Sequence, residues 1–217
     1  MGPYTLIIGE KSYSSWSLRA WLLLKHLGLP FELVEVNLYR PDSRSVVRQL
    51  GGETGLVPVL KDGALVIWDT LAIFEHLEEH HGGVWPKEDA ARARARSYAG
   101  EVHSSLNALR NAMPVNTRGR RRMAERTPDV EADIARVVEI WSRVGASGGP
   151  WLFGSFSGAD IMFAPVATRF RTYGVTLPAS ADAYYRQLLD HPLMVEWTAL
   201  GAAEAGTIPS LEIPEGP

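Results

Sequence analysis

The chain has 217 residues, of which 46% are hydrophobic and 22% charged. These proportions are typical of a globular protein and exclude a disordered or collagen-like chain. The 22 Lys and Arg against 25 Asp and Glu give a formal net charge of −3, too weak to predict a nucleic-acid or membrane partner. The sequence contains no cysteine, which excludes disulfides, cysteine-based metal sites and a protein thiol nucleophile. Any thiol chemistry therefore requires a ligand that brings the sulfur.

Targeting and membrane signals are also missing from the sequence. The N-terminal residues show no basic segment followed by an apolar run, and the most apolar stretch, residues 21–24, is far shorter than the ~20 residues of a membrane span. We interpret a basic cluster as a solvated loop, because the total charge is acidic. This cluster comprises Arg118, Arg120, Arg121 and Arg122. We therefore expect a cytoplasmic protein with neither a membrane nor a nucleic-acid partner.

The first part of the chain alternates strand and helix signals. Residues 4–8 predict a strand that ends at Gly9, and residues 14–27 predict a helix that ends at Gly28. A second strand is predicted at residues 31–36. Because a helix between two strands forms a crossover connection, we expect these two strands to run parallel.

A hairpin and a further helix follow. Apolar runs at residues 57–60 and 65–67, separated by an Asp-Gly turn signal, predict the hairpin. Residues 39–56 before it carry only a weak helical signal, whereas residues 70–80 after it predict a helix. The order β-α-β, a loop or short helix, and then β-β-α is typical of a thioredoxin-like α/β domain.

The strand signals stop after residue 81. A segment rich in Gly and Pro, residues 82–87, predicts a linker. Helical patterns follow at residues 88–111, 128–144, 180–190 and 192–204, and after the capping-box-like Ser157-Gly-Ala-Asp160. We therefore expect a thioredoxin-like α/β domain at residues 1–81 and an all-α helical domain at residues 88–217.

Two adjacent serines, Ser14 and Ser15, lie at the predicted start of the first helix. A helix N-terminus exposes unpaired N–H groups at the positive end of the helix dipole, and hydroxyl groups there add further donors. Such a site stabilises an anion, including a thiolate. The alternative interpretation is ordinary helix capping, for which serine is a preferred residue.

Two further motifs offer groups to a ligand. Pro58 opens a strand after a loop, which invites a cis Val57–Pro58 bond that would turn the Val57 backbone outward to pair with an extended peptide. Asp69 and Thr70, at the start of the helix after the hairpin, offer a carboxylate, a hydroxyl and free N–H groups that suit a zwitterion. The alternatives are an ordinary strand-opening proline and an ordinary helix cap.

In this order and spacing, the motifs resemble the cytosolic glutathione S-transferases over nearly the whole chain. The shared features are the serine after the first strand, the Val-Pro before the third, the Asp69-Thr70 pair, the Trp-Pro linker and the Ser157-x-x-Asp160 cap. The run Ser14-Ser-x-Ser-x-Arg19 is most similar to zeta-type and related bacterial members, whose pattern is Ser-Ser-Cys-Ser-Trp-Arg. Trp16 and Leu18 depart from that pattern, which argues against the specific zeta activity, isomerisation of maleylacetoacetate, and leaves the glutathione site intact.

The resemblance implies two candidates for the catalytic residue. Ser14 aligns with the catalytic serine of the zeta motif. Ser15 is the competitor, because theta-type enzymes place their serine four residues before a matching arginine, which here is Arg19.

The resemblance also implies how glutathione is held. Val57, before the cis Pro58, would pair with the cysteinyl backbone, and Asp69 and Thr70 would hold the γ-glutamyl end. A basic or amide side chain would hold the glycyl carboxylate. The candidates for this last contact are Arg40, Arg44, Arg48 and Gln49.

The implied function is a glutathione S-transferase with glutathione as co-substrate, no metal, and a small electrophile in a more apolar pocket between the domains. We expect Arg110, Met113 and Phe163 to line that pocket, and the resemblance implies a homodimer. One alternative is a glutathione-dependent isomerase, of the maleylacetoacetate isomerase type, or a peroxidase. Another is a non-enzymatic partner-binding protein of the same fold, similar to stringent starvation protein A.

Overall fold

A computed structural model describes residues 4–120, 126–144 and 149–212. Its one described sheet has four strands: β1 (Tyr4–Ile8), β2 (Phe31–Glu35), β3 (Val59–Asp62) and β4 (Leu65–Trp68). The strand order is β2-β1-β3-β4. Strand β1 pairs parallel with β2 and antiparallel with β3, and β3 pairs antiparallel with β4. The predicted parallel pair and hairpin are therefore confirmed.

Three helices accompany the sheet: α1 (Ser15–His26), α2 (Ser43–Gln49) and α3 (Thr70–His81). Helix α1 is the crossover that makes β1 and β2 parallel. Helix α2 is the short helix for which residues 39–56 carried only a weak signal. Strand β3 begins two residues later than predicted, so Val57 and Pro58 lie in the loop before it. That position leaves the Val57 backbone outside the sheet.

The rest of the described chain is helical: α4 (Asp89–Ser104), α5 (Asn107–Ala112), α6 (Pro128–Trp141), α7 (Gly158–Tyr173), α8 (Ala179–Asp190) and α9 (Pro192–Ala202). The 3-10 turn Pro209–Leu211 follows. A small mixed-sheet domain thus precedes a helical domain, as the sequence predicted. None of the described helices combines the length and apolar character that crossing a membrane requires.

The prediction of one helix over residues 88–111 is wrong, because the chain breaks between α4 and α5. Leu106 adopts a left-handed conformation with φ of 60°. The side chain of Arg110 supports the break: its Nε donates to the Ser105 carbonyl at 3.0 Å and its Nη2 to that of Val102. The break is therefore stabilised by a side chain that satisfies the exposed carbonyls. Helical periodicity in the sequence does not reveal such a break.

The interpretation of the basic cluster as a solvated loop is wrong for Arg118. Its guanidinium donates to the carbonyls of Glu204 and Gly206, at 2.9 and 2.7 Å, and to the Tyr13 hydroxyl at 2.6 Å. Arg118 therefore holds the C-terminal segment against the loop before α1. Arg120 is exposed, and the other two cluster residues, Arg121 and Arg122, lie outside the described part of the chain.

Helix α7 forms the centre of the helical domain and packs against α1 of the sheet domain. The predicted cap at its start is confirmed as a capping box between Ser157 and Asp160. The fully buried Asp160 carboxylate accepts bonds from the Ser157 N–H and hydroxyl at 2.9 and 3.0 Å, the Leu152 N–H at 3.1 Å and the Tyr184 hydroxyl at 2.9 Å. Burial raises the pKa of the Asp160 carboxyl to about 6, although these bonds oppose the shift.

Candidate functional site

Two adjoining cavities lie between the two domains and share Trp16, Leu56 and Val57 in their walls. The larger, of about 590 Å³, also contacts Pro58, Asp69, Thr70 and His103. The smaller, of about 410 Å³, also contacts Ser14, Ser15, Arg44, Arg110 and Arg169. The structure thus brings together the two catalytic candidates and the residues expected to hold the cysteinyl and γ-glutamyl parts of glutathione: Ser14, Ser15, Val57, Pro58, Asp69 and Thr70.

Ser14 caps α1 at the wall of the smaller cavity. Its Oγ accepts a bond from the Ser17 N–H at 3.3 Å and lies 2.7 Å from the Ser17 Oγ. The Ser17 Oγ in turn accepts the Gly9 N–H at 3.0 Å. Ser17 can therefore donate its own proton to Ser14, which leaves the Ser14 proton available to a group in the cavity. Capping and anion binding are thus compatible at this residue.

Ser15 has a different environment from that of Ser14. Its Oγ accepts a long bond of 3.5 Å from Arg169 Nη2. Arg169 belongs to α7, so this bond joins the sheet domain to the helical domain. The Ser15 hydroxyl keeps its proton for donation, and both serines consequently retain the chemistry that the sequence analysis assigned to them.

The peptide bond between Val57 and Pro58 is cis, as predicted. Neither the N–H nor the C=O of Val57 has a hydrogen-bond partner in the described part of the chain. An unpaired backbone N–H and C=O next to a cavity suit the backbone of an extended peptide.

Asp69 and Thr70 begin α3 at the wall of the larger cavity. Asp69 adopts a φ of 72°, which is rare for a residue other than glycine and is typical of functional sites. Its Oδ1 accepts the N–H groups of Leu71 at 2.8 Å and Ala72 at 3.4 Å. Thr70 is 1% exposed, and its hydroxyl has no hydrogen-bond partner among the described residues. A buried hydroxyl without a partner is costly, so its place beside a cavity points to a polar ligand.

Sequence analysis missed Arg169 and His103 at this site. His103 comes from the last turn of α4, and its Nε2 lies 3.1 Å from Asp69 Oδ2. No motif signals this contact, because it depends on how the two domains pack.

Three arginines surround the serine end of the site: the buried Arg19 and Arg169, and the half-buried Arg110. Arg19 and Arg110 lie over the Trp16 ring, with their guanidinium carbons 4.6 and 4.9 Å from its centroid. Burial, and for Arg19 and Arg169 also a neighbouring guanidinium, lowers the pKa of each arginine. In the described part of the chain, none of the three forms an ion pair with a carboxylate. The smaller cavity is therefore electropositive.

Other sequence expectations need correction. Arg110 lines the smaller cavity as expected, but Met113 and Phe163 are fully buried in the main core and line neither cavity. Among the four candidates for the glycyl carboxylate, Arg44 contacts the smaller cavity, whereas Arg40, Arg48 and Gln49 contact neither. No group of three His, Asp or Glu side chains in the described residues is placed to hold a metal ion.

Comparison with known proteins agrees with this architecture. The chain is 33% identical over 103 residues to a probable maleylacetoacetate isomerase from Caenorhabditis elegans, an alignment of 46% of this chain and 47% of that protein. It is 32% identical over 126 residues to a zeta class glutathione S-transferase from Euphorbia esula, covering 57% of this chain and 56% of that protein. The chain thus spans about half the length of these curated relatives.

Solved structures show the same fold. A glutathione transferase homolog from Burkholderia gl BGR1, with bound glutathione, superimposes with a TM-score of 0.71 at 22% identity, covering 94% of this chain and all of that one. The family models for the glutathione S-transferase N-terminal and C-terminal domains match residues 13–80 and 89–202. With both domain models matched in order and the fold shared, this chain belongs to the glutathione S-transferase family.

Proposed function

We propose that this protein is a glutathione S-transferase that binds glutathione across the two cavities and activates its thiol with Ser14. One observation carries the proposal: the N-termini of α1 and α3 both open onto adjoining cavities, with the unpaired Val57 backbone between them. Glutathione is an extended peptide with a zwitterionic end and a thiol. Its zwitterionic end matches the α3 N-terminus, its backbone matches Val57, and its thiol matches the α1 N-terminus.

The ligand's orientation follows from the chemistry of the walls. The γ-glutamyl carboxylate lies at the Thr70 hydroxyl and the α3 N-terminus, and the ammonium lies at Asp69. The cysteinyl backbone pairs with Val57, which directs the sulfur into the smaller cavity towards Ser14. Arg44 is in position to take the glycyl carboxylate.

The chemical step is activation of the imported thiol. A free thiol titrates near ~8.5, and donors at a positive helix end lower that value by one or more units. Each unit corresponds to ~1.4 kcal/mol of thiolate stabilisation. Ser14 and the α1 dipole supply these interactions, and the electropositive cavity adds to them. The thiol gives up its proton to water, and the thiolate then forms a C–S bond with an electrophile in the smaller cavity. With an aryl halide, the carbon–halogen bond breaks and halide leaves.

The proposal is tested by retention on immobilised glutathione, followed by a conjugation assay with a chromogenic aryl halide. We expect retention, elution by free glutathione, and conjugation that depends on both substrates. A partner-binding protein of the same fold would neither bind the resin nor conjugate, and that result would contradict the proposal.

We expect Asp69→Asn to weaken glutathione binding by ~10-fold or more, about 1.4 kcal/mol per decade. Asn caps a helix about as well as Asp and tolerates a positive φ, so the Tm should stay within a few degrees. Asn keeps the oxygen that accepts the α3 N–H groups, and it loses the charge that attracts the ammonium together with the second oxygen, which faces His103. Calorimetric titration with glutathione measures the effect, and unchanged affinity would assign Asp69 to capping alone.

The arginine cluster favours a second candidate function, glutathione-dependent isomerisation of an anionic substrate. Arg110 and Arg169 line the smaller cavity, and guanidiniums whose charge is not balanced by a carboxylate of the described chain suit an anionic substrate. Maleylacetoacetate, named for one relative, is such an anion. Turnover of maleylacetoacetate with glutathione, without conjugation of neutral electrophiles, would favour the isomerase over the transferase.

We also propose that the protein acts as a homodimer in the cytoplasm. Large apolar side chains are exposed on the β4 side of the sheet domain, with Leu65 52% and Trp68 39% exposed. An exposed apolar surface of this kind suits a second subunit. Sedimentation should give twice the 23.9 kDa of the chain, and a Leu65→Lys, Trp68→Lys variant should sediment as a monomer. A monomeric wild type would contradict the proposal.

A further inference from the structure

The helical domain places a titratable side chain against the proposed ammonium position. His103 Nε2 lies 3.1 Å from Asp69 Oδ2, and the imidazole side chain is 24% exposed. The ring packs edge-on against Trp16, with 5.1 Å between the ring centroids. The Asp69 carboxylate is therefore held on both sides, by the α3 N–H groups at Oδ1 and by His103 at Oδ2.

The contacts of the His103 ring favour its neutral form. Because a carboxylate only accepts, the Nε2 that faces Asp69 carries the ring's hydrogen. The Nδ1 atom is buried without a hydrogen-bond partner in the described structure, so a second proton there would be a buried N–H without an acceptor. Burial lowers the pKa of His103 below its usual 6.5; Arg19 and Arg110 lower it further, and Asp69 raises it.

We propose that His103 is a further residue of the glutathione site, which in its neutral form holds the Asp69 carboxylate for the γ-glutamyl ammonium and in its charged form opposes that ammonium. This inference rests on the proposed function, because it requires the ammonium at Asp69. A charged imidazolium would neutralise Asp69 and place a like charge beside the ligand's cation.

The direction of the pH dependence follows from linkage. Protonation of His103 and binding of the ammonium oppose each other, so affinity falls as the pH drops through the pKa of His103 and is constant above it. That window lies below pH 6.5. The charged groups facing His103 are Asp69, Arg19 and Arg110, and guanidinium groups do not titrate in this range.

The test is calorimetric titration with S-methylglutathione, which has the γ-glutamyl ammonium but no thiol to ionise, between pH 5.0 and 7.5. We expect wild-type affinity to be lower at pH 5.0 than at pH 7.5, by at most the ~10-fold per pH unit below the pKa of His103 that one proton allows. His103→Gln keeps a side-chain N–H donor for Asp69 and cannot be protonated, so its affinity should lose the pH dependence.

A matched control is His76→Gln. His76 Nε2 lies 3.2 Å from Asp62 Oδ2, a second His–Asp pair that lines neither cavity. This variant replaces an imidazole by the same amide donor away from the site and should keep the wild-type pH profile. A merely structural effect of replacing a paired imidazole by an amide would alter both variants alike.

The possible results distinguish failure of this inference from failure of the proposed function. Absence of S-methylglutathione binding at every pH would contradict both the proposed function and this inference. A wild-type affinity that is independent of pH, or a His103→Gln profile equal to that of wild type, would overturn the inference alone. Should His103→Gln not fold, binding at pH 6 in buffers of different ionisation enthalpy decides: we expect proton release in wild type, and no release would overturn the inference.

Discussion

Ser14→Ala should lower the turnover of thiol conjugation by at least ~10-fold, towards the ~10²–10³-fold loss that follows removal of one anion-stabilising donor. The physical reason is that Ser14 lines the smaller cavity with a hydroxyl that can accept the Ser17 proton and so donate its own proton to the thiolate. Steady-state kinetics at saturating glutathione measures the effect. Ser15→Ala should have a smaller effect, because Arg169, which donates to the Ser15 hydroxyl, remains in the cavity wall as a cationic donor for the thiolate.

Ser14 is also the α1 cap, so its loss should cost ~1 kcal/mol of stability as well. Thr127→Ala is the matched control for that cost. The Thr127 hydroxyl caps α6 by accepting the Val130 N–H at 3.3 Å, the same distance as in the Ser14 cap, and it lines neither cavity. It should lose similar stability and keep full activity. If Ser15→Ala abolishes turnover while Ser14→Ala does not, Ser15 and not Ser14 is the residue that activates the thiol.

Asp160→Ala should have the largest effect on stability, lowering the free energy of unfolding by about 3–5 kcal/mol. The substitution removes the buried acceptor of four hydrogen bonds that join the start of α7 to α8 and to the preceding loop. Each buried donor that loses its acceptor costs ~1–3 kcal/mol. Chemical denaturation followed by fluorescence measures the change.

Tyr184→Phe is the control for Asp160→Ala. It removes one of the four donors and leaves the carboxylate with three, so it should cost only about 1 kcal/mol. Equal losses for the two variants would mean that Asp160 does not organise the cap network.

Local sequence signals predicted most of the sheet domain correctly, because its elements depend on short-range chemistry. The helix after β1 ends near Gly28, whose φ is 65°, a conformation that favours glycine at a helix end. The Asp-Gly turn between β3 and β4, the cis bond before Pro58 and the cap at Asp160 likewise follow from adjacent residues.

The features that the sequence did not predict depend on contacts between distant residues. The break before α5 is stabilised by the Arg110 side chain, and Arg118 is held by carbonyls some 86 and 88 positions further along the chain. His103 meets Asp69 only because the two domains pack together. Met113, which we expected at the pocket, lies in the core, and its apolar side chain does not distinguish these two locations in the sequence.

Thiol activation at the α1 N-terminus is best tested by an ultraviolet pH titration of the thiolate of bound glutathione, in wild type and in Ser14→Ala. We predict that the bound thiol of the wild-type complex titrates at least one unit below the ~8.5 of a free thiol. In Ser14→Ala it should titrate closer to the free value. A wild-type complex in which the bound thiol titrates like free glutathione would contradict activation by Ser14 and the α1 N-terminus.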